Sequence, residues 1–154
     1  MRLNKKVILV TASTRGIGLA AVAACAKEGA IVYMAARNRE RAETRIKELK
    51  NETGNQHIHY VHYDAGQLET CRSMADEVAK AEGRIDVLVN NFGSSDPAMD
   101  LDIAKTSVET FLNTVTINLG NTYAASQAVI PCMRQNGGGS IINISSISGL
   151  IPDI

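Results

Sequence analysis

Four runs along this chain are short and almost wholly apolar: residues 7–10 (V-I-L-V), 31–34 (I-V-Y-M), 87–89 (V-L-V) and 141–144 (I-I-N-I). Continuous apolar runs of this length mark strands covered on both faces, as in parallel sheets sandwiched between helices. A fifth run, residues 57–63, alternates apolar and polar positions and reads as a weaker strand. Residues 17–28, 39–52, 67–82 and 107–135 lie between the runs and read as helices. Strand and helix therefore alternate throughout, which predicts an α/β domain built on a doubly wound parallel sheet.

The predicted helices carry stop and start signals. Gly29, Gly54 and Gly83 each follow a helical segment and suit a left-handed cap. Thr106-x-x-Glu109 fits a capping box at the start of the fourth helix, and Gly137-Gly138-Gly139 ends it. Residues 94–100 (S-S-D-P-A-M-D) form the one clear loop inside the fold. It follows a strand end, and ligands of open parallel sheets sit at the C-terminal ends of strands.

The first strand runs straight into T-A-S-T-R-G-I-G at residues 11–18, and these open the first helix. Small residues let a backbone approach a ligand, and the first N–H groups of the helix point at an anion. The turn therefore reads as a phosphate seat. Arg15 lies inside it, and Arg37 follows the second strand in A-A-R, with no Asp or Glu at residues 34–37. In dinucleotide folds an acid at this strand end holds the ribose hydroxyl, whereas arginine accommodates a 2′-phosphate. Arg15 and Arg37 thus favour NADP(H) over NAD(H). Arg39, Arg41 and Arg45 read instead as solvated helix charges beside Glu40, Glu43 and Glu48.

Composition narrows the picture further. With 45% hydrophobic and 21% charged residues, the 154-residue chain can bury the core of one domain and is not disordered. It has no Trp and only two Phe, so the core must be mostly aliphatic. Net charge is zero, but residues 1–50 hold eleven Lys/Arg against four Asp/Glu, and the rest five against twelve. The basic half contains the glycine turn, which suits an anionic cofactor. No basic stripe interleaved with aromatics argues for nucleic acid. Cys25, Cys71 and Cys132 are far apart and odd in number, as free thiols in a reducing compartment would be. Cys25 reads as packing on the buried face of the first helix. With no leader and no long apolar span, a soluble, cytoplasmic protein is expected. His57, His59 and His62 lack neighbouring ligands at metal spacing and read as a solvated strand face, so no metal is expected.

T-A-S-T-R-G-I-G, N-N-F-G at residues 90–93, T-I-N at residues 116–118 and S-I-I-N-I-S-S at residues 140–146 occur in this order. Together they resemble the short-chain dehydrogenase/reductase family over the whole chain. Within it the chain is most similar to bacterial NADP-dependent 7α-hydroxysteroid dehydrogenases. The resemblance implies a Rossmann-type sheet, NADP(H) as cofactor and a steroid (bile acid) substrate whose 7α-hydroxyl is reversibly oxidised. It implies a dimer or tetramer for the full-length enzyme, with the long helix at an interface. A general ketoreductase such as a 3-oxoacyl reductase is the rival within the same chemistry. A non-catalytic NADP(H)-binding protein is the rival outside it.

The family's roles fall on particular residues. Thr11, Ser13, Thr14, Arg15, Gly16, Ile17 and Gly18 would form the phosphate turn. Ala12 stands where the common pattern has its first glycine, which is tolerable if its φ is negative. Asp64, with Ala65 beside it, matches the carboxylate that accepts from the adenine amine. Asn90, Phe92 and Gly93 match the segment that ties the fourth strand to the cofactor, with Phe92 replacing the usual alanine. Asn118 matches the asparagine that kinks the long helix and holds a water of the proton relay. Ser146 matches the catalytic serine, whose hydroxyl meets the substrate oxygen; Ser145 ranks second. Phe92, Ser148 and residues 147–151 would line the steroid side.

In this family the general base is the tyrosine of Tyr-x-x-x-Lys, expected roughly a dozen residues after the serine. Eight residues follow Ser146, and none is Tyr or Lys. None of Tyr33, Tyr60, Tyr63 and Tyr123 has Lys four residues later. The expectation is a Rossmann-type domain incomplete at its C-terminus, roughly the first three-fifths of an enzyme, and inactive alone.

Overall fold

The structure, a computed structural model, describes residues 1–99 and 101–147. Five strands form one parallel sheet: β1 (Val7–Thr11), β2 (Ile31–Ala36), β3 (Ile58–His62), β4 (Val87–Asn90) and β5 (Ser140–Asn143). Their spatial order is β3-β2-β1-β4-β5, so the first strand lies at the centre. The chain winds outward one way through β3 and then crosses back to β4 on the far side of β1. The switch point of this doubly wound sheet lies between β1 and β4.

Helices cover both faces. Ile8, Val10, Val32 and Met34 point toward Val22 and Ala26 of α1 (Gly16–Lys27) and toward Ala42, Ile46 and Leu49 of α2 (Arg39–Thr53). The alternate residues Val7, Leu9, Tyr33 and Ala35 meet Cys71, Met74 and Val78 of α3 (Glu69–Glu82). They also meet Ala125, Val129 and Met133 of α5 (Asn121–Gln135). The two-residue period of a strand divides one apolar run between two cores. Gly54 and Gly83 close α2 and α3 in the left-handed conformation, at φ 72° and 71°, and Gly29 follows α1 at φ 83°.

Three expectations change. The predicted fourth helix is not one α-helix. It comprises α4 (Val108–Val115), a π turn (Thr116–Gly120) and α5, because the T-I-N segment takes the wider i→i+5 spacing. Its cap is Ser107, whose hydroxyl accepts from the Thr110 N–H at 3.0 Å. The Thr106 hydroxyl accepts instead from the Leu101 N–H. Finally, β5 is not covered on both faces: Ile142 is 46% exposed. As the edge strand, it pairs with β4 alone among the described strands.

At the N-terminal edge of the sheet Asp86 gathers three donors: the Val7 N–H, Lys6 Nζ and the Arg84 guanidinium. Burial pushes its carboxyl up, but the bonds from Arg84, Val7 and Lys6 outweigh that and hold its pKa below the ordinary value. Asp86 thus fastens β4 to β1 across 79 residues of sequence.

Candidate functional site

The residues singled out in the sequence converge at the C-terminal ends of β1, β2, β3, β4 and β5. The α1 N-terminus is open there. Its N-cap, Arg15, makes no side-chain cap, and the first turn holds no acidic residue. The N–H groups of Gly16, Ile17 and Gly18 therefore present partial positive charge without a protein carboxylate. A Cβ on Gly18 would lie 2.5 Å from Asn91 Nδ2, 2.8 Å from Ser13 Cα and 3.0 Å from the Ala12 carbonyl oxygen. Gly16 adopts φ 55°. Both glycines are required, one by close approach and one by conformation.

Ala12 also lies in the left-handed region, at φ 50°. The negative φ that would have suited a side chain is absent, and the methyl group costs about 1 kcal/mol or more there. The turn is held on every side. Ser13 Oγ is buried and donates to the Val10 carbonyl at 2.9 Å, so this hydroxyl faces into the turn. The Ser13 N–H reaches the Ala35 carbonyl of β2. Thr11 Oγ1 is buried, donates to the Val89 carbonyl and accepts from the N–H groups of Asn91 and Phe92. Asn91 Nδ2 donates to the carbonyls of Thr11 at 3.1 Å and Ala12 at 3.2 Å.

Asn91 is thus the residue that ties the β4 loop to the glycine turn. Asn90 faces the other way. Its amide donates to Asn143 Oδ1 on β5 at 2.9 Å and to Ser126 Oγ on α5 at 3.1 Å. The N-N doublet alone did not reveal this division of labour; opposite facing of neighbouring strand residues was the available signal. Phe92 is half-buried and meets Tyr63 edge-on at 6.3 Å, within the core under α3 and α5. Gly93 is exposed.

Arg15 and Arg37 are both exposed, and no described carboxylate pairs with either. They follow neighbouring strands whose ends are in register at Thr11 and Ala35. Arg39 and Arg45 do form helix ion pairs, with Glu43 and Glu48, and Arg39 also covers the Tyr60 ring. Thr14 is half-buried at the mouth of the turn, and Ile17 is exposed beside it.

Asp64 Oδ1 accepts from the Gly66 N–H, and the Thr70 hydroxyl brackets the Asp64 backbone. The Ala65 carbonyl accepts from Asn121 Nδ2 at 2.8 Å. Asn118, in the π turn, makes a reciprocal clamp on Ser94. Its Oδ1 accepts from the Ser94 N–H at 2.8 Å, and its Nδ2 donates to the Ser94 carbonyl at 2.7 Å. Asn118 therefore fastens the loop after β4. Ser145 and Ser146 follow β5 and are exposed at the same edge. Ser148 and residues 149–151 lie outside the described residues.

The tyrosines are engaged elsewhere. Tyr33 donates to Glu82 at 2.8 Å, and Tyr63 donates to Asn121 at 2.9 Å. Burial pushes both phenols up, away from the range of a base near neutrality. His59 stacks on Tyr33 at 5.2 Å rather than lying on a solvated face, and burial lowers its pKa. His62 Nδ1 meets the Tyr60 hydroxyl. Cys71 is buried, with its thiol pushed up to about 11 by desolvation. Cys25 is half-buried on α1. No described helix is long and apolar enough to cross a membrane.

The sequence matches the model of the short chain dehydrogenase family over residues 6–154. The chain belongs to the short-chain dehydrogenase family. It is 44% identical over 153 residues to a 7α-hydroxysteroid dehydrogenase of Clostridium sardiniense, covering 99% of this chain and 58% of that protein. Among solved structures it is similar to gox2181, with a TM-score of 0.90 and 32% identity over 99% of this chain and 58% of the other. It is also similar to L-sorbose reductase from Gluconobacter frateurii complexed with NADPH and L-sorbose. There the TM-score is 0.88 and the identity 30%, over 99% and 57% of the two chains. This short-chain dehydrogenase thus spans a little under three-fifths of the length of the relatives it matches.

Proposed function

We propose that this chain is the nucleotide-binding portion of an NADP(H)-dependent oxidoreductase that reversibly oxidises a steroid 7α-hydroxyl. The observation that carries the nucleotide reading is the open α1 N-terminus, flanked by Arg15 and Arg37 without acidic partners among the described residues. The turn fits a pyrophosphate because the first N–H groups of α1 carry neither a capping side chain nor a carboxylate, and the space beside Gly16 is open for 4 Å around the position of a Cβ. The N–H groups of Gly16, Ile17 and Gly18 would hold the pyrophosphate, Arg15 and Arg37 the 2′-phosphate, and Asp64 with Ala65 the adenine edge. NADP(H) supplies the hydride chemistry when bound.

Ser146 is the residue of this chain suited to place the substrate oxygen, since a hydroxyl can donate to a carbonyl or accept from an alcohol. Asn118 holds the loop after β4 through Ser94. The tyrosines do not supply the family's base: Tyr33, Tyr60 and Tyr63 are bonded to Glu82, His62 and Asn121, Tyr123 projects outward from α5, and none has Lys four residues later. The steroid assignment rests on 44% identity to the clostridial 7α-hydroxysteroid dehydrogenase. In this reading the oxidoreductase works as a cytoplasmic homo-oligomer, with its proton-transferring base supplied from outside these 154 residues.

Titration calorimetry of the chain tests the cofactor reading. NADPH is expected to bind about tenfold or more tightly than NADH, because a 2′-phosphate gains charge-assisted bonds that a hydroxyl does not. NADH binding as tightly as NADPH would overturn the roles of Arg15 and Arg37. The same preparation is expected to show no oxidation of 7α-hydroxy bile acid with NADP⁺; turnover would overturn the assignment of the base.

A further inference from the structure

Asn121 is 2% exposed, inside the core between the sheet and α3, where a polar side chain needs a reason. Its amide is fully used. Oδ1 accepts from the Tyr63 hydroxyl at 2.9 Å and from Cys71 Sγ at 3.6 Å. Nδ2 donates to the Ala65 carbonyl at 2.8 Å and to the Ile117 carbonyl of the π turn. A carboxamide has two N–H donors and one oxygen with two lone pairs, and every one has a partner here. Those partners belong to the end of β3, the loop after it, α3 and the π turn. Three residues earlier, Asn118 bonds the other loop at this sheet edge, at Ser94. The π turn and the first residue of α5 thus carry two asparagines, Asn118 and Asn121, each holding one loop.

We propose that Asn121 is a positioning residue that sets the Asp64–Ala65 loop, and through the π turn the Asn118 clamp, for nucleotide binding. This rests on the reading of Asp64 and Ala65 as the adenine edge of the site. Asn121 touches no ligand. It fixes the Ala65 carbonyl, hence the plane of the neighbouring peptide and the aim of Asp64. It does so from the helix that also holds Ser94. Tyr63 helps to orient the amide: its hydroxyl donates to Oδ1, while the Ala65 and Ile117 carbonyls hold Nδ2 on the other side.

Adenosine 2′,5′-bisphosphate titrated calorimetrically into the chain supplies the test, because it carries the adenosine half of the cofactor, with its 2′- and 5′-phosphates, and lacks the nicotinamide half. N121A is expected to weaken binding about tenfold, the effect of one lost positioning bond. Y63F is expected to weaken it about threefold. V129A, a core truncation on the same helix, lowers the melting temperature and controls for stability loss. It is expected to leave affinity unchanged. Equal losses for N121A and V129A, or unchanged affinity in N121A, would overturn the proposal.

Amide exchange of the ligand-free variants separates failure of this proposal from failure of the site reading. N121A is expected to speed exchange at residues 65–67 and 116–120 selectively, whereas V129A is not. If the native chain does not bind the bisphosphate, the adenine-edge reading fails. The exchange pattern alone then decides whether Asn121 positions the loop, and a uniform increase across the domain counts against it.

Discussion

β1 and β5 are both short apolar strands in the same sheet, yet they live in different surroundings. Every residue of β1 is buried, with strands on both edges and helices on both faces. β5 has one described neighbour, and three of its four residues are exposed. The helical side repeats the contrast. α1 buries Val22 and Ala26, while Val108, Phe111, Leu112, Leu119 and Tyr123 project outward along α4, the π turn and α5. Apolar sequence records what a surface is suited to meet. Whether something meets it depends on the rest of the assembly.

Four variants probe that contrast. The largest effect is expected at the centre. Leu88→Ala removes a fully buried side chain of β4 and should cost about 2–5 kcal/mol in urea unfolding. Ile142→Ala on β5 should cost under about 1 kcal/mol. Similar losses at both sites would mean that β5 is covered in solution. A smaller effect of opposite sign is expected where β1 ends. Ala12→Gly relieves the left-handed alanine and should raise stability by roughly 1 kcal/mol; a loss would show that Ala12 is not left-handed. The smallest change in stability belongs to the exposed stripe. Leu112→Glu with Leu119→Glu should alter unfolding by no more than about 0.5 kcal/mol per site, while reducing light scattering from self-association. Unchanged scattering would mean that the stripe does not drive association.

Much of the fold was legible because each strand bounded by helix caps is a local pattern. The runs around Leu9, Val32 and Leu88 declared themselves by unbroken apolarity, and Gly54 and Gly83 declared the helix ends. The glycine turn and the two arginines without acidic partners were legible for the same reason. What escaped depends on tertiary company. The burial of β1 against the exposure of β5 cannot be read from their aliphatic residues alone, since Ile141 and Ile142 of β5 look no different in sequence from Ile8 and Leu9 of β1. The resemblance marked a kink at Asn118, but not its form: Thr116, Ile117 and Asn118 carry no local pattern that separates a π turn from an α-helix. The separate tasks of Asn90 and Asn91 follow from the strand pleat, and Asn121 is recognised only once Tyr63, Ala65 and Cys71 surround it. The left-handed Ala12 defied the ordinary preference of its residue type because Asn91 and Thr11 hold the turn around it.

The central place of β1 also has a consequence in time. Val7 and Asp86, which lie against each other in the finished sheet, are separated by 79 residues. At a synthesis rate of about 5–20 residues per second, β4 is made roughly 4–16 s after β1. Until then β1 has β2 on one side and an unpaired apolar edge on the other. The nascent domain therefore passes through an interval in which its most apolar strand is also its most adhesive one. The Asp86 clamp with Lys6, Arg84 and the Val7 N–H is the contact whose arrival ends that interval.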